Sequence, residues 1–98
     1  MNQDNQIHTM VVEPVIEAFN NWNQPWTFFD EVYHHPALSA GDRQWFAMVW
    51  HTAMDEKNWK HAALVDCVAE TTSALQQAYP LSQAATDAVV NAAAYQWK

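Results

Sequence analysis

A single glycine, Gly41, against sixteen alanines in 98 residues constrains this chain more than any other feature of its sequence. Sheet-rich folds draw on glycine for tight hairpin turns, whereas Ala is the best helix former and Gly costs about 1 kcal/mol relative to it inside a helix. The balance predicts an all-α fold. Half the residues are apolar and six are tryptophans, enough to fill a core, and a chain of this length supports one core rather than two. The first eight residues, MNQDNQIH, are polar and aperiodic. They are expected to form a flexible tail over 1–8, followed by a single helical domain over 9–98.

Within that domain the apolar residues recur at helical spacing. Val15, Ile16, Phe19 and Trp22 follow Pro14, which a first helical turn tolerates, and predict a short helix over about 13–22. The run Asn20 to Pro25 breaks it, and Thr27 with Asp30 signals a second short helix over about 28–34, ending before His35-Pro36. Ser39 and Asp42 repeat that signal ahead of a helix over about 40–55. Its apolar arc (Trp45, Phe46, Met48, Val49, Trp50, Ala53) is so wide that only Gln44, His51 and Asp55 form a polar stripe, as expected of a central helix surrounded by neighbours. Asp55 or Asn58 is placed to cap a helix over about 59–78, with Leu64, Val68, Leu75 and Tyr79 as its buried face. Ser82 caps a last helix over about 83–97, whose Gln83, Asp87 and Asn91 line up on an otherwise small and apolar surface. The expectation is a compact bundle of three longer helices plus one or two short N-terminal ones.

Charge narrows the function classes. The formal charge is -7, and residues 1–42 hold six acids (Asp4, Glu13, Glu17, Asp30, Glu31, Asp42) and no Lys or Arg. The four bases, Arg43, Lys57, Lys60 and Lys98, form no basic patch, so direct nucleic-acid binding is not expected. One cysteine forms no internal disulfide, and neither a signal peptide nor a membrane-length apolar run is evident; a reducing cytoplasm is the expected location.

Motifs for chemistry are sparse. Glu31 and His34 make one E-x-x-H pair at helical spacing, a quarter of the set a di-iron bundle needs, and no second copy exists. His51 and Asp55, spaced i and i+4, would suit a base with its orienting carboxylate, yet both lie on the polar stripe and no nucleophile is placed beside them. His61 falls on the apolar side of its expected helix, and Cys67 reads as a packed, inert thiol. Phosphate loops and nucleophile elbows need glycines the chain lacks. No enzyme activity, metal or cofactor is therefore expected.

The aromatic content points instead to contact with a protein, because Trp and Tyr are the residues that most often anchor interfaces. Trp22, Trp26 and Trp97 fall at helix ends or loops, Trp45 lies on the wide arc, and Asp30 and Glu31 would add charge for a partner with a basic surface. These six are the candidate partner-binding residues. The expected function is that of a small acidic protein that binds and inhibits or regulates another protein, in the general manner of immunity proteins, antitoxins and phage anti-defence proteins. Two alternatives stand beside it: an acidic nucleic-acid mimic, and a His/carboxylate bundle that binds a metal or small ligand. A homodimer through the wide arc or the Ala-rich last helix is compatible with each.

Overall fold

Five α-helices and two 3-10 turns make up the computed structural model, which describes residues 2–97, with side chains from Gln6 onward. Helix α1 spans Asn2–Ala18, α2 Phe28–Tyr33, α3 Ala40–Ala53, α4 Leu64–Ala78 and α5 Gln83–Trp97; the 3-10 turns are Pro25–Thr27 and Glu56–Trp59. The all-α bundle follows from the composition, and four of the helices are long.

Local chemistry explains most of the boundaries. Ser39 and Asp42 form a complete capping box at the start of α3: the Asp42 N–H donates to Ser39 Oγ at 3.2 Å, and the Ser39 N–H donates to Asp42 Oδ2 at 2.9 Å. Two of the orphan amides of the helix start are satisfied reciprocally. Ser82 caps α5 by accepting from the Ala85 N–H at 3.1 Å. Its own N–H donates to Glu13 and its hydroxyl to Glu17, which brings two α1 carboxylates to the positive end of the α5 dipole. Arg43 donates from Nε to the Tyr33 carbonyl at 2.8 Å and from Nη2 to the His35 carbonyl at 3.2 Å, so the one arginine closes the C-terminal end of α2.

Helix α3 is central, touching α1, α2, α4 and α5. Trp45, Phe46, Val49 and Ala53 are buried on it, and of the wide arc only Met48 is well exposed. The core joins them to Val12, Ile16 and Phe19 of α1, Phe28 and Val32 of α2, Leu75 of α4 and Val89 and Val90 of α5. Each large apolar side chain enclosed in this way contributes about 1.5–3 kcal/mol. Phe28 is the aromatic hub, edge-on to Phe19 at 5.1 Å and tilted against Phe46 at 6.1 Å and Trp50 at 5.8 Å. The small residues of α5 (Ala85, Ala92, Ala93) are also buried, within the same core as the α3 arc.

Several local expectations are corrected. Helix α1 starts at Asn2 rather than near residue 13 and ends at Ala18, so residues 2–8, expected as a tail, are helical, with Met1 and Lys98 outside the described residues. Pro14 thus stands in a helix interior, a placement that costs on the order of 3 kcal/mol and must be offset by tertiary contact. Part of that contact is His8, which donates from Nδ1 to Asp42 Oδ1 at 2.7 Å and stacks over Trp45 at 6.0 Å. The helix expected over 59–78 starts only at Leu64. Asn58 and Trp59 are drawn back onto the end of α3, donating to the Thr52 carbonyl at 2.9 Å and the Ala53 carbonyl at 2.8 Å, and the chain turns before it can propagate a new helix. In consequence Leu64, assigned to the buried face, sits in an exposed first turn, and His61, assigned to the apolar side, lies exposed 3.7 Å from Glu70.

Candidate functional site

The C-terminal half of α1 is flanked by two clefts. One, of about 210 Å3, runs between α1 and α5 and is lined by Ile16, Glu17, Phe19 and Trp22 on one side and Ala84, Asp87, Ala88 and Asn91 on the other. The other, of about 160 Å3, runs between α1 and α2 past Val15, Phe19, Glu31 and His35. Phe19 is the wall between them. Both clefts carry carboxylates, and no Lys or Arg lines either.

The break after α1 places the aromatics. Asn21 donates to Gln24 at 3.2 Å, to Thr27 at 3.4 Å and to Glu31 at 3.3 Å, a side-chain knot that folds the Asn21–Thr27 segment back toward α2. Trp22 is thereby held edge-on to Phe19 at 4.8 Å and stacked on Phe28 at 5.9 Å, yet it remains 39% exposed. Trp26 is 51% exposed and lies against Tyr95 of α5, itself 41% exposed, at 5.9 Å. Asp87, Asn91 and Tyr95 step by four residues and so share a face of α5. Trp22 borders that face across the cleft and Trp26 borders it at Tyr95. The result is one surface of exposed aromatic rings and carboxylates.

The six expected partner-binding residues divide on this geometry. Trp22 and Trp26 flank the α5 face. Asp30 and Glu31 are exposed on α2, with Glu31 in the neighbouring cleft and bonded to Asn21. Trp97 is 41% exposed but stacks on Trp59 at 6.4 Å, about half a helical turn around α5 from Tyr95, and so belongs to a different surface. Trp45 is only 5% exposed, edge-on to Tyr79 at 5.6 Å, because the wide arc of α3 is consumed by the core, so its ring is a core residue and offers no contact surface. Sequence reasoning missed Tyr95, Glu17 and Asp87. The i, i+4 series Asp87, Asn91, Tyr95 was the signal for the two on α5, whereas Glu17 joins them only through the packing of α1 beside α5.

The chemical pairs are not assembled. Asp55 caps the turn Glu56–Trp59, accepting from the Lys57 N–H at 3.0 Å, and His51 lines two depressions of about 400 and 370 Å3 beside α3, the second of which Asp55 also lines. His34 stands edge-on to Tyr33 at 5.2 Å. Cys67 is buried, its Sγ directed at the His61 carbonyl at 3.5 Å. Among the described residues, no three of His, Cys, Asp and Glu converge as a metal ion would require. No helix among them is long and apolar enough to cross a membrane.

No protein-family model, curated protein or solved structure matches this chain.

One carboxylate is tuned by its surroundings. Burial alone would raise the Asp42 carboxyl, but hydrogen bonds from His8 and from the backbone and side chain of Ser39, with the attraction of His8, outweigh it and hold the group below the usual carboxylate range. Asp42 is a structural anion that ties α1 to the start of α3.

Proposed function

We propose that this chain is a non-enzymatic binding protein that docks a protein partner with a basic surface and thereby inhibits or regulates it. The observation that carries the reading is the α1–α5 surface, where exposed Trp22 lines a cleft edged by Glu17 and Asp87 with no cation among its lining residues, and Trp26 and Tyr95 stand exposed against each other farther along α5. Large, stiff, amphipathic rings supply interface energy at low entropic cost, and an uncompensated acidic rim selects a partner of opposite sign and speeds encounter. Two copies of this face would oppose like charges, which favours a different partner over self-association. The acids of residues 1–42 give less support to a nucleic-acid mimic, since Asp42 is buried and Glu13 holds the Ser82 N–H.

The test is affinity capture from a lysate of the source cell with four baits: the wild type, Trp22→Ala/Trp26→Ala, Trp97→Ala and Asp87→Asn. A protein retained by the wild type and by Trp97→Ala, lost with the double variant and weakened by Asp87→Asn, is the expected result. Capture that is indifferent to Trp22 and Trp26 would overturn the assignment of the face.

A further inference from the structure

We infer that the α1–α5 cleft is an arginine-anchor site, which takes one guanidinium-bearing side chain of the partner between the exposed part of the Trp22 ring and the carboxylates of Glu17 and Asp87. The inference rests on the docking face proposed above and names what enters it. At about 210 Å3 the cleft is smaller than the roughly 300 Å3 at which sites for drug-sized ligands begin, and it suits a single long side chain.

Its lining matches an arginine in three parts. Ile16, Ala84 and Ala88 offer an apolar wall for a methylene stem. Phe28 stacks on the Trp22 indole and Phe19 packs edge-on to it, which holds the ring in place while it lines the cleft and stays 39% exposed. A planar, weakly hydrated guanidinium stacks on such a ring better than a compact ammonium does. Glu17 and Asp87 then supply carboxylates for the fork of N–H donors, and the Asn91 amide adds a further acceptor. Asp87 is held in place by Gln83, which donates to it at 2.8 Å, and Glu17 by the Ser82 hydroxyl. A second copy of the chain cannot be the occupant through an arginine of its own. Its one arginine, Arg43, is committed to the carbonyls of Tyr33 and His35.

The experiment titrates the nitrogen-labelled full chain with single blocked residues: N-acetyl-arginine methylamide, its lysine counterpart and its neutral citrulline counterpart. The Trp22 indole N–H and the Asn91 side-chain amide are followed by NMR. Arginine should shift both saturably, roughly threefold or more tightly than lysine, with citrulline far weaker. Trp22→Ala should abolish the saturable shift, Asp87→Asn, at an exposed position, should weaken it by about threefold, and Trp97→Ala should leave it unchanged. Equal binding of lysine or citrulline, or shifts spread evenly over Asp30, Glu31 and Asp55, would overturn the anchor. If capture of a partner still depends on Trp22 and Trp26 while the arginine probe leaves Trp22 undisturbed, the anchor falls and the docking face stands. If the probe binds as expected but no captured protein depends on those tryptophans, the anchor holds and the docking function falls.

Discussion

Replacing His8 by alanine should destabilise the fold by about 1.5–3 kcal/mol, although the residue lies in a stretch that reads as a tail. The figure comes from removing a hydrogen bond to a charged, buried acceptor, the class for which losses of about 1.5–3 kcal/mol are typical. The geometry places the contact in that class: Nδ1 to Oδ1 at 2.7 Å, with the Asp42 side chain 8% exposed and the His8 ring 26% exposed. Ser39→Ala, which removes only the cap, should cost about 1 kcal/mol. Asp42→Ala, which removes the cap and the His8 contact together, should cost more than either. For a domain of this size each kcal/mol lowers Tm by about 4–8 °C, so thermal and urea unfolding followed by circular dichroism resolves all three. The acid limb adds an independent readout. Because the Asp42 carboxyl is held below its unfolded value, the unfolded chain takes up this proton more readily than the folded one. The stability it supplies is therefore complete above the ordinary carboxylate range and drains away as the pH falls through that range to the lowered value. Asp42→Asn should be less stable than the wild type at neutral pH and should approach it in acid. A deletion of residues 1–8 should cost at least as much as His8→Ala. If His8→Ala and the deletion both leave Tm unchanged, and the wild type and Asp42→Asn keep a constant gap from neutral to acid pH, the link between α1 and α3 is refuted.

Other substitutions separate core from surface. Trp45→Ala should cost about 3–5 kcal/mol because that ring is buried, while Trp22→Ala should cost markedly less and leave the far-ultraviolet spectrum unchanged; matching losses in urea melts would contradict the division. Gly41→Ala should stabilise the protein by about 0.5–1 kcal/mol, since a β-carbon there would meet His8 Cε1 at an ordinary 3.4 Å and α3 would gain a better helix former; a lowered urea midpoint would refute this. Cys67 should react with a thiol reagent only as fast as the protein opens, so labelling in native buffer that matches the rate in denaturant would contradict its burial.

Several elements were legible in the residues alone. The scarcity of glycine set the all-α class, Ser39-x-x-Asp42 marked the start of α3, and Ser82 marked that of α5, whose expected span over 83–97 is the one observed. The wide apolar arc of α3 correctly announced a central helix, because an arc of that width has no stable place except among neighbours. The candidate surface was legible only in part: Trp22 and Trp26 stood out as aromatics in a helix break, while Trp45 could not be told from them, since periodicity reports how much of a helix is apolar and not which neighbour covers it.

What the sequence by itself determined is therefore local: which segments form helices, where side-chain caps start them, and which faces are apolar. Tertiary structure decided the rest. The N-terminal turns are helical because His8 finds Asp42, thirty-four residues away, and α4 starts late because Asn58 and Trp59 are recruited to the exposed carbonyls of α3. Glu17, Asp87, Trp22 and Tyr95 form one surface because α1 packs beside α5. The physical reason is common to these cases: backbone propensity and capping act over a few residues, whereas the partner of a hydrogen bond or the cover of an aromatic ring is fixed only when distant helices meet.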